Sequence, residues 1–326
     1  DDLGPLPLAA HPGGDLQRQQ GGRAEIVHGG GAHVAARLRE LELFQRASRV
    51  LADRIGVIGR PSDWLIASQV DRAAVGRRWG TKLVDIGLDE LFPGRAAGAA
   101  AMAREIIDRA DQLDGVDEKA VLDASRLIPA LQGIFRRRRL AAVTLRCFDL
   151  IGDLGTSGCL ALALLNDEGL VCGCEGDVPA AFTMLLAQAL TGEHPFMANP
   201  AQVDAGRNEV VLAHCTVPTR AVGPFRLQTH FETGCGVALD GRFPRGAATL
   251  LKVGGPALDR YFVSGAEVLP RRPRPGLCRT QVRLRLDKPV SYFLRASLAN
   301  HHVLVRGHHA TLIDSFLRFY GATPVE

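Results

Sequence analysis

Lysine is scarce in this chain. Of its 39 basic residues only Lys82, Lys119, Lys252 and Lys288 are lysines; the rest are arginines. With many alanines and glycines beside it, that bias suggests a GC-rich genome more than a nucleic-acid ligand, and the net charge is only +4. The one dense basic run, Arg136–Arg139, follows the apolar stretch Leu127–Phe135. It reads as the cationic C-terminal end of a helix. No interleaved aromatics or groove-reading motif accompany it, so nucleic acid is not an expected partner. Long apolar runs are missing too. Leu160–Leu165 is too short to cross a bilayer, and the opening residues have neither a basic n-region nor an apolar core; no membrane partner is expected. Methionine occurs only at positions 102, 184 and 197, so position 1 is read as something other than a natural start. No G-x-G-x-x-G follows a strand-like run, which argues against a dinucleotide-dependent oxidoreductase.

The seven cysteines are an odd number in a chain of 326 residues. That fits free thiols in a reducing cytoplasm better than a secreted disulfide framework. Cys172-Gly-Cys174 has neither zinc nor thioredoxin spacing, and both are read as small buried hydrophobes.

What is present is alternation. Apolar residues at helical spacing predict a helix over Ala35–Leu51. Arg54–Ile58, ending at Gly59, reads as a buried strand, Asp71–Trp79 as a helix and Lys82–Ile86 as a second strand. Helices are predicted over Ala96–Leu113 and Glu118–Phe135, the second kinked or ended at Pro129. Strand Ala141–Arg146, helix Ser157–Leu165, strand Gly169–Cys174 and helix Val178–Leu190 follow. This order implies a parallel sheet with helices on its faces. After about residue 195 short apolar segments succeed one another, punctuated by Gly and Pro: Val210–Ala213, Phe225–Thr229, Val237–Leu239, Ala248–Val253, Tyr261–Val263, Thr280–Leu286 and His302–Val305. They predict an antiparallel barrel or sandwich, closed by a helix over Ala310–Tyr320. The fold class is therefore α/β, a Rossmann-like parallel-sheet domain followed by a C-terminal antiparallel β-barrel domain.

The most informative stretch is Gly173-Cys174-Glu175-Gly176-Asp177-Val178-Pro179. A strand ends at an acidic pair and a helix starts directly after it, and in open α/β sheets ligands bind at that edge. Glu175 is either a functional carboxylate or half of a structural ion pair. Asp177 is either a site residue or the N-cap of the next helix. His214 ends the apolar run Val210–Ala213, and His301-His302 leads into another. Adjacent strand residues point to opposite faces, so at most one of that pair serves a given site. A glutamate and two histidines on separate strand ends suit Mn²⁺, Fe²⁺, Co²⁺ or Zn²⁺.

The run Leu170–Pro218 resembles the corresponding segment of L-arabinose isomerases. It has the Glu-Gly-Asp strand end, an amphipathic helix, a Thr-Gly turn, a Phe-Met-x motif, an apolar strand and a histidine. Gly59–Ser68 (GRPSDWLIAS), Cys278-Arg279-Thr280-Gln281 and Asn300-His301-His302-Val303 resemble segments of fucose isomerase-like proteins. The resemblance, to the fucose/arabinose isomerase superfamily, covers most of residues 52–326 in order. It implies two Rossmann-like domains and a C-terminal barrel: here a remnant of the first domain over 1–52, the second over 53–195 and the barrel over 196–326. It also implies a cytoplasmic, homo-oligomeric enzyme that interconverts an aldose and a ketose on a divalent metal, commonly Mn²⁺. Glu175 would be metal ligand and acid/base, with His214 and one of His301 and His302 as further ligands. Asp177 and Asn199 would meet the small sugar substrate. The family's second metal carboxylate follows the Phe of the Phe-Met-x motif, and Phe196-Met197-Ala198-Asn199-Pro200 has none. Asn199 offers a neutral oxygen, and Asp204 is the nearest candidate for a second catalytic carboxylate. A sugar-binding or assembly protein that has lost catalysis is the competing expectation.

Overall fold

A computed structural model describes residues 27, 30–91 and 97–326. The sequence has two further short apolar runs, Leu6–Ala10 and Ala24–Val27, each expected to be one strand of a larger sheet; apart from Val27 they lie outside the described residues. The described chain opens with helix Gly31–Leu51, then β1 (Arg54–Ile58), helix Arg72–Trp79, β2 (Lys82–Ile86), helix Ala99–Arg109 and β3 (Gln112–Asp114). Helices Glu118–Ser125 and Leu127–Arg138, β4 (Ala142–Leu145), helices Cys147–Leu154 and Cys159–Asp167, β5 (Val171–Cys174) and helix Val178–Thr191 follow. β1, β2, β4 and β5 form a wholly parallel sheet in the order β2-β1-β4-β5. The helix expected over Glu118–Phe135 is two helices, broken at Arg126. Pro129 sits in the first turn of the second, where backbone N–H groups have no intrahelical acceptor and a missing one costs nothing.

The C-terminal half contains β6 (Phe196–Asp204), β7 (Glu209–His214), β8 (Phe225–Gln228), β9 (Ala238–Gly241), β10 (Gly246–Gly254), β11 (Arg260–Val268), β12 (Thr280–Leu286), β13 (His302–Arg306) and β14 (Thr323–Pro324). Six of these close a barrel in the order β10-β13-β6-β7-β12-β11, every pair antiparallel, with β11 returning to β10. Strand alternation divides its side chains. Leu250, Phe262, Leu284 and Leu304 fill one cluster. Leu251, Val253, Val303 and Val305 join a second cluster together with sheet residues such as Ile58, Leu145 and Val171.

Helix Val178–Thr191 links the two parts. It is apolar nearly all round, and Val178 through Ala187 are all buried, as expected of a helix enclosed on every side. The 195/196 boundary expected from sequence follows this helix directly, and packing crosses it: Leu186 and Leu190 share a cluster with Leu251, Val253 and Val303. A small third sheet crosses it as well, since β3 pairs parallel with β8 and β8 antiparallel with β9.

Candidate metal centre and cleft

The site forms where the carboxyl edge of the parallel sheet meets the barrel. β5 delivers Glu175, whose backbone takes the left-handed conformation with φ +59°. That conformation costs a non-glycine residue on the order of 1–3 kcal/mol and is concentrated at functional sites. Gly176 follows at φ +67°, and a Cβ there would lie 2.6 Å from the carbonyl oxygen of Arg60. Only glycine lets the loop after β1 lie against this turn. Asp177 then caps the long helix, its Oδ1 accepting the N–H of Ala180 at 2.8 Å.

The barrel supplies the imidazoles. His214 ends β7 and His301 stands just before β13; both are buried. Nε2 of His214 is 3.7 Å and Nε2 of His301 3.5 Å from Oε1 of Glu175. One ligand atom from each of the three residues lies within 4.8 Å of the others. Such separations are too long for good hydrogen bonds, and they suit atoms that share a cation at about 2.0–2.2 Å each. Nε2 of His301 is buried without a hydrogen-bond partner, a costly state unless something else fills its valence. The donor set, one carboxylate and two imidazoles, fits Mn²⁺, Fe²⁺, Co²⁺ or Zn²⁺, and three protein ligands leave coordination positions open to a substrate.

Each imidazole is held from behind. Nδ1 of His301 is 2.9 Å from Oδ2 of Asp177, which also accepts the hydroxyl of Ser68 at 2.9 Å. Nδ1 of His214 is 2.7 Å from Oγ1 of Thr216. A carboxylate behind a ligating histidine fixes its tautomer and leaves the other nitrogen for the ion. Behind Asp177 stands Lys252, wholly buried, with Nζ 3.7 Å from Oδ1 of Asp177 and no hydrogen bond of its own. Burial opposes the charges of this set, and opposite charges answer it. Burial works against ionised Glu175, but His301 and His214 hold its carboxyl well below the usual range. Burial likewise works against ionised Asp177, but Lys252 and His301 bring it down to about 2. Burial disfavours protonated His301, yet Glu175 and Asp177 raise it to about 9. Lys252 is lowered by burial, with Asp177 acting against the shift.

The pair left open in the sequence separates cleanly. His302 shares its strand face with Leu304 and turns into the barrel, where its Nε2 is 2.9 Å from the hydroxyl of Tyr292 and its ring packs on Phe293. Burial, with Lys252 nearby, lowers it to about 3 and keeps it neutral. His302 is therefore not brought to the Glu175 cluster. Asp204, expected as the second carboxylate, also lies elsewhere. It closes the β6–β7 hairpin, accepting the N–H of Arg207 at 3.1 Å, because an extended strand carries it away from Asn199. Asp177, expected to touch the sugar, is fully buried behind His301 instead.

Asn199 does line the cleft above the cluster, an opening of about 600 Å³ that it shares with Glu175, Glu232, Asn300, Trp64, Leu65 and Phe148. In β6, Met197 packs on the sheet side while Phe196 and Ala198 face the barrel core. Sequence reasoning missed Glu232 and Phe148 altogether and gave Trp64 and Lys252 no role. A signal existed for Lys252, one of only four lysines and set within the apolar run Ala248–Val253.

No family model matches the chain. Among curated proteins it aligns with several named sulfoquinovose isomerase. That of Alkalicoccus urumqiensis is 24% identical over 313 residues, 90% of this chain and 70% of the relative. That of Clostridium sp. (strain MSTE9) is 30% identical over 159 residues, 41% of this chain and 34% of the relative. That of Priestia aryabhattai is 23% identical over 183 residues, 55% of this chain and 41% of the relative. The chain is thus similar, at low identity and over part of each relative's length, to enzymes named for isomerising a sugar.

Proposed function

We propose that this protein is a metal-dependent isomerase that interconverts an aldose and its ketose. One observation carries the reading. Three strand ends bring an oxygen and two nitrogens together at the base of an open cleft, with the buried Nε2 of His301 unpartnered. The names of the relatives supply the substrate class, a small sugar. A divalent cation such as Mn²⁺, held by Glu175, His214 and His301, would supply Lewis-acid polarisation of the sugar carbonyl and its neighbouring hydroxyl.

The chain's own groups do the rest. Asp177 and Thr216 hold the two imidazoles in register, so the ligand atoms need little rearrangement. Oε1 of Glu175 faces both imidazoles. We assign Oε2 as the base that takes the proton from C2 of the aldose and returns it to C1. The hydroxyl proton of O2 passes to O1 in the same interconversion, so all atoms and electrons stay within the sugar and no redox partner is consumed. Asn199 and Asn300 offer amides to sugar hydroxyls. Glu232 is the second carboxylate facing the substrate, the place expected of Asp204.

The test is a metal analysis of the purified protein coupled to an aldose panel with ketose detection. The panel should include sulfoquinovose, L-fucose and L-arabinose. Chelation should abolish turnover and Mn²⁺ restore it, and Glu175→Gln should be inactive but folded. Full turnover in chelated protein, or in Glu175→Gln, would refute the proposal. A second reading, sugar binding without catalysis, draws on the cluster holding a single carboxylate among the described residues. It predicts saturable sugar binding to metal-loaded protein with no ketose formed.

A further inference from the structure

The segment Gly59–Ser68, GRPSDWLIAS, supplies no ion ligand, yet it is fastened to the site at several points. Its backbone at Arg60 and Pro61 abuts Gly176, and Ser68 donates to Asp177. The carbonyl of Pro61 accepts Nη1 of Arg146 at 2.9 Å, and Gln69 reaches back to the carbonyl of Ser62. What this fastening presents to the cleft is Trp64. Its side chain is held without being buried. The Arg146 guanidinium lies 4.9 Å from the ring centroid, and Phe148 meets the indole edge-on at 5.7 Å and 80°. Arg146 is itself anchored by Asp149 at 3.0 Å. The residue nevertheless remains 49% exposed. The indole is at the same time part of the cleft lining.

A rigid, exposed indole in a pocket is unusual, because burial of an aromatic ring is strongly favourable. A sugar ring supplies the missing partner. It carries hydroxyls at its rim and a patch of C–H groups on a face. The cleft has both complements: carboxylates and amides from Glu175, Glu232, Asn199 and Asn300, and an apolar patch of Trp64, Leu65 and Phe148. We propose that Trp64 is the substrate platform of this cleft, the surface on which the C–H face of the aldose lies while its carbonyl end points to Glu175. The inference rests on the isomerase reading for turnover but not for binding.

The chain's two tryptophans make this directly observable. Trp79 is buried, with its indole N–H bonded to the carbonyl of Leu258 at 3.0 Å, so a bound sugar alters the emission of Trp64 alone. Titrating the same aldose panel into Mn²⁺-loaded protein should give a saturable emission change for at least one sugar, and Trp64→Phe should reduce it sharply. For a sugar that is turned over, Trp64→Ala should raise KM about tenfold, the loss of ~1.4 kcal/mol of ring contact. Its kcat should stay within about threefold and its Mn²⁺ affinity should be unchanged; Trp64→Phe should fall between. A saturable emission change without ketose would sink the isomerase reading and leave the platform standing. No change across the panel, or an unaltered KM in Trp64→Ala, would overturn the platform itself.

Discussion

The two halves of this molecule contribute to one site by opposite means. The parallel sheet contributes the carboxylate through a strained turn: Glu175 at positive φ, a glycine against the neighbouring loop, and a helix that begins two residues later. The barrel contributes imidazoles from regular, buried strand ends, and it selects them by alternation alone. His301 and His302 are adjacent in sequence and both wholly buried, yet one meets Glu175 and the other Tyr292. Backbone conformation places the carboxylate, and strand facing places the imidazoles.

The largest effect expected from breaking this arrangement is on the barrel side. His301→Ala and His214→Ala should each weaken Mn²⁺ binding by more than about a hundredfold, since two ligands remain where three were. His302→Asn should leave Mn²⁺ affinity within about twofold and lower thermal stability instead. Calorimetric titration with Mn²⁺ separates the three, and equal losses at His301 and His302 would undo the facing argument. The next effect is on pH. His301 is raised to about 9 in the metal-free protein. Its charged form therefore adds stability that is fully present below the ordinary imidazole value near 6.5 and is lost as pH climbs to about 9. The same proton competes with the ion, so apparent Mn²⁺ affinity should rise across that window by up to about tenfold per pH unit. Melting curves of metal-free protein and Mn²⁺ titrations between pH 6 and 9, roughly the range in which imidazoles titrate, check both signs; a flat affinity profile would contradict them.

A smaller effect should come from the junction between the halves. Lys252→Met keeps the volume but removes the cation behind Asp177. Mn²⁺ affinity should fall about tenfold, as for other groups that orient a ligating histidine. An unaltered Kd would mean that the ammonium only fills space. Smallest of all, Asp204→Asn should leave turnover and Mn²⁺ affinity within about twofold, because the hairpin it closes lies off the site; a tenfold loss would return Asp204 to the chemistry.

Much of the sheet region was legible in the sequence because its signals are local. β1 and β2 have the bounds their apolar runs predict, and the helix after Asp177 starts where Pro179 and a capping carboxylate place it. The helix Cys147–Leu154 and the break at Arg126 were not legible. Tertiary packing decides them, and local periodicity does not. In the barrel most strands were readable as short apolar runs, but not their order, since β13 pairs with β10 and β6, and β12 with β7, across long separations.

The sequence by itself determined that an acidic turn would end a parallel strand, that a glycine would be needed beside it, and that apolar strands would carry histidines at their ends. These follow from hydrophobic periodicity, capping and backbone sterics, which act over a few residues. Only the tertiary structure decided that His301 rather than His302 faces Glu175, that Asp177 supports an imidazole from behind, that Lys252 stands behind Asp177, and that Trp64 faces the cleft. Those contacts join residues far apart in sequence, because side-chain direction and long-range strand pairing set them, and no local pattern encodes either.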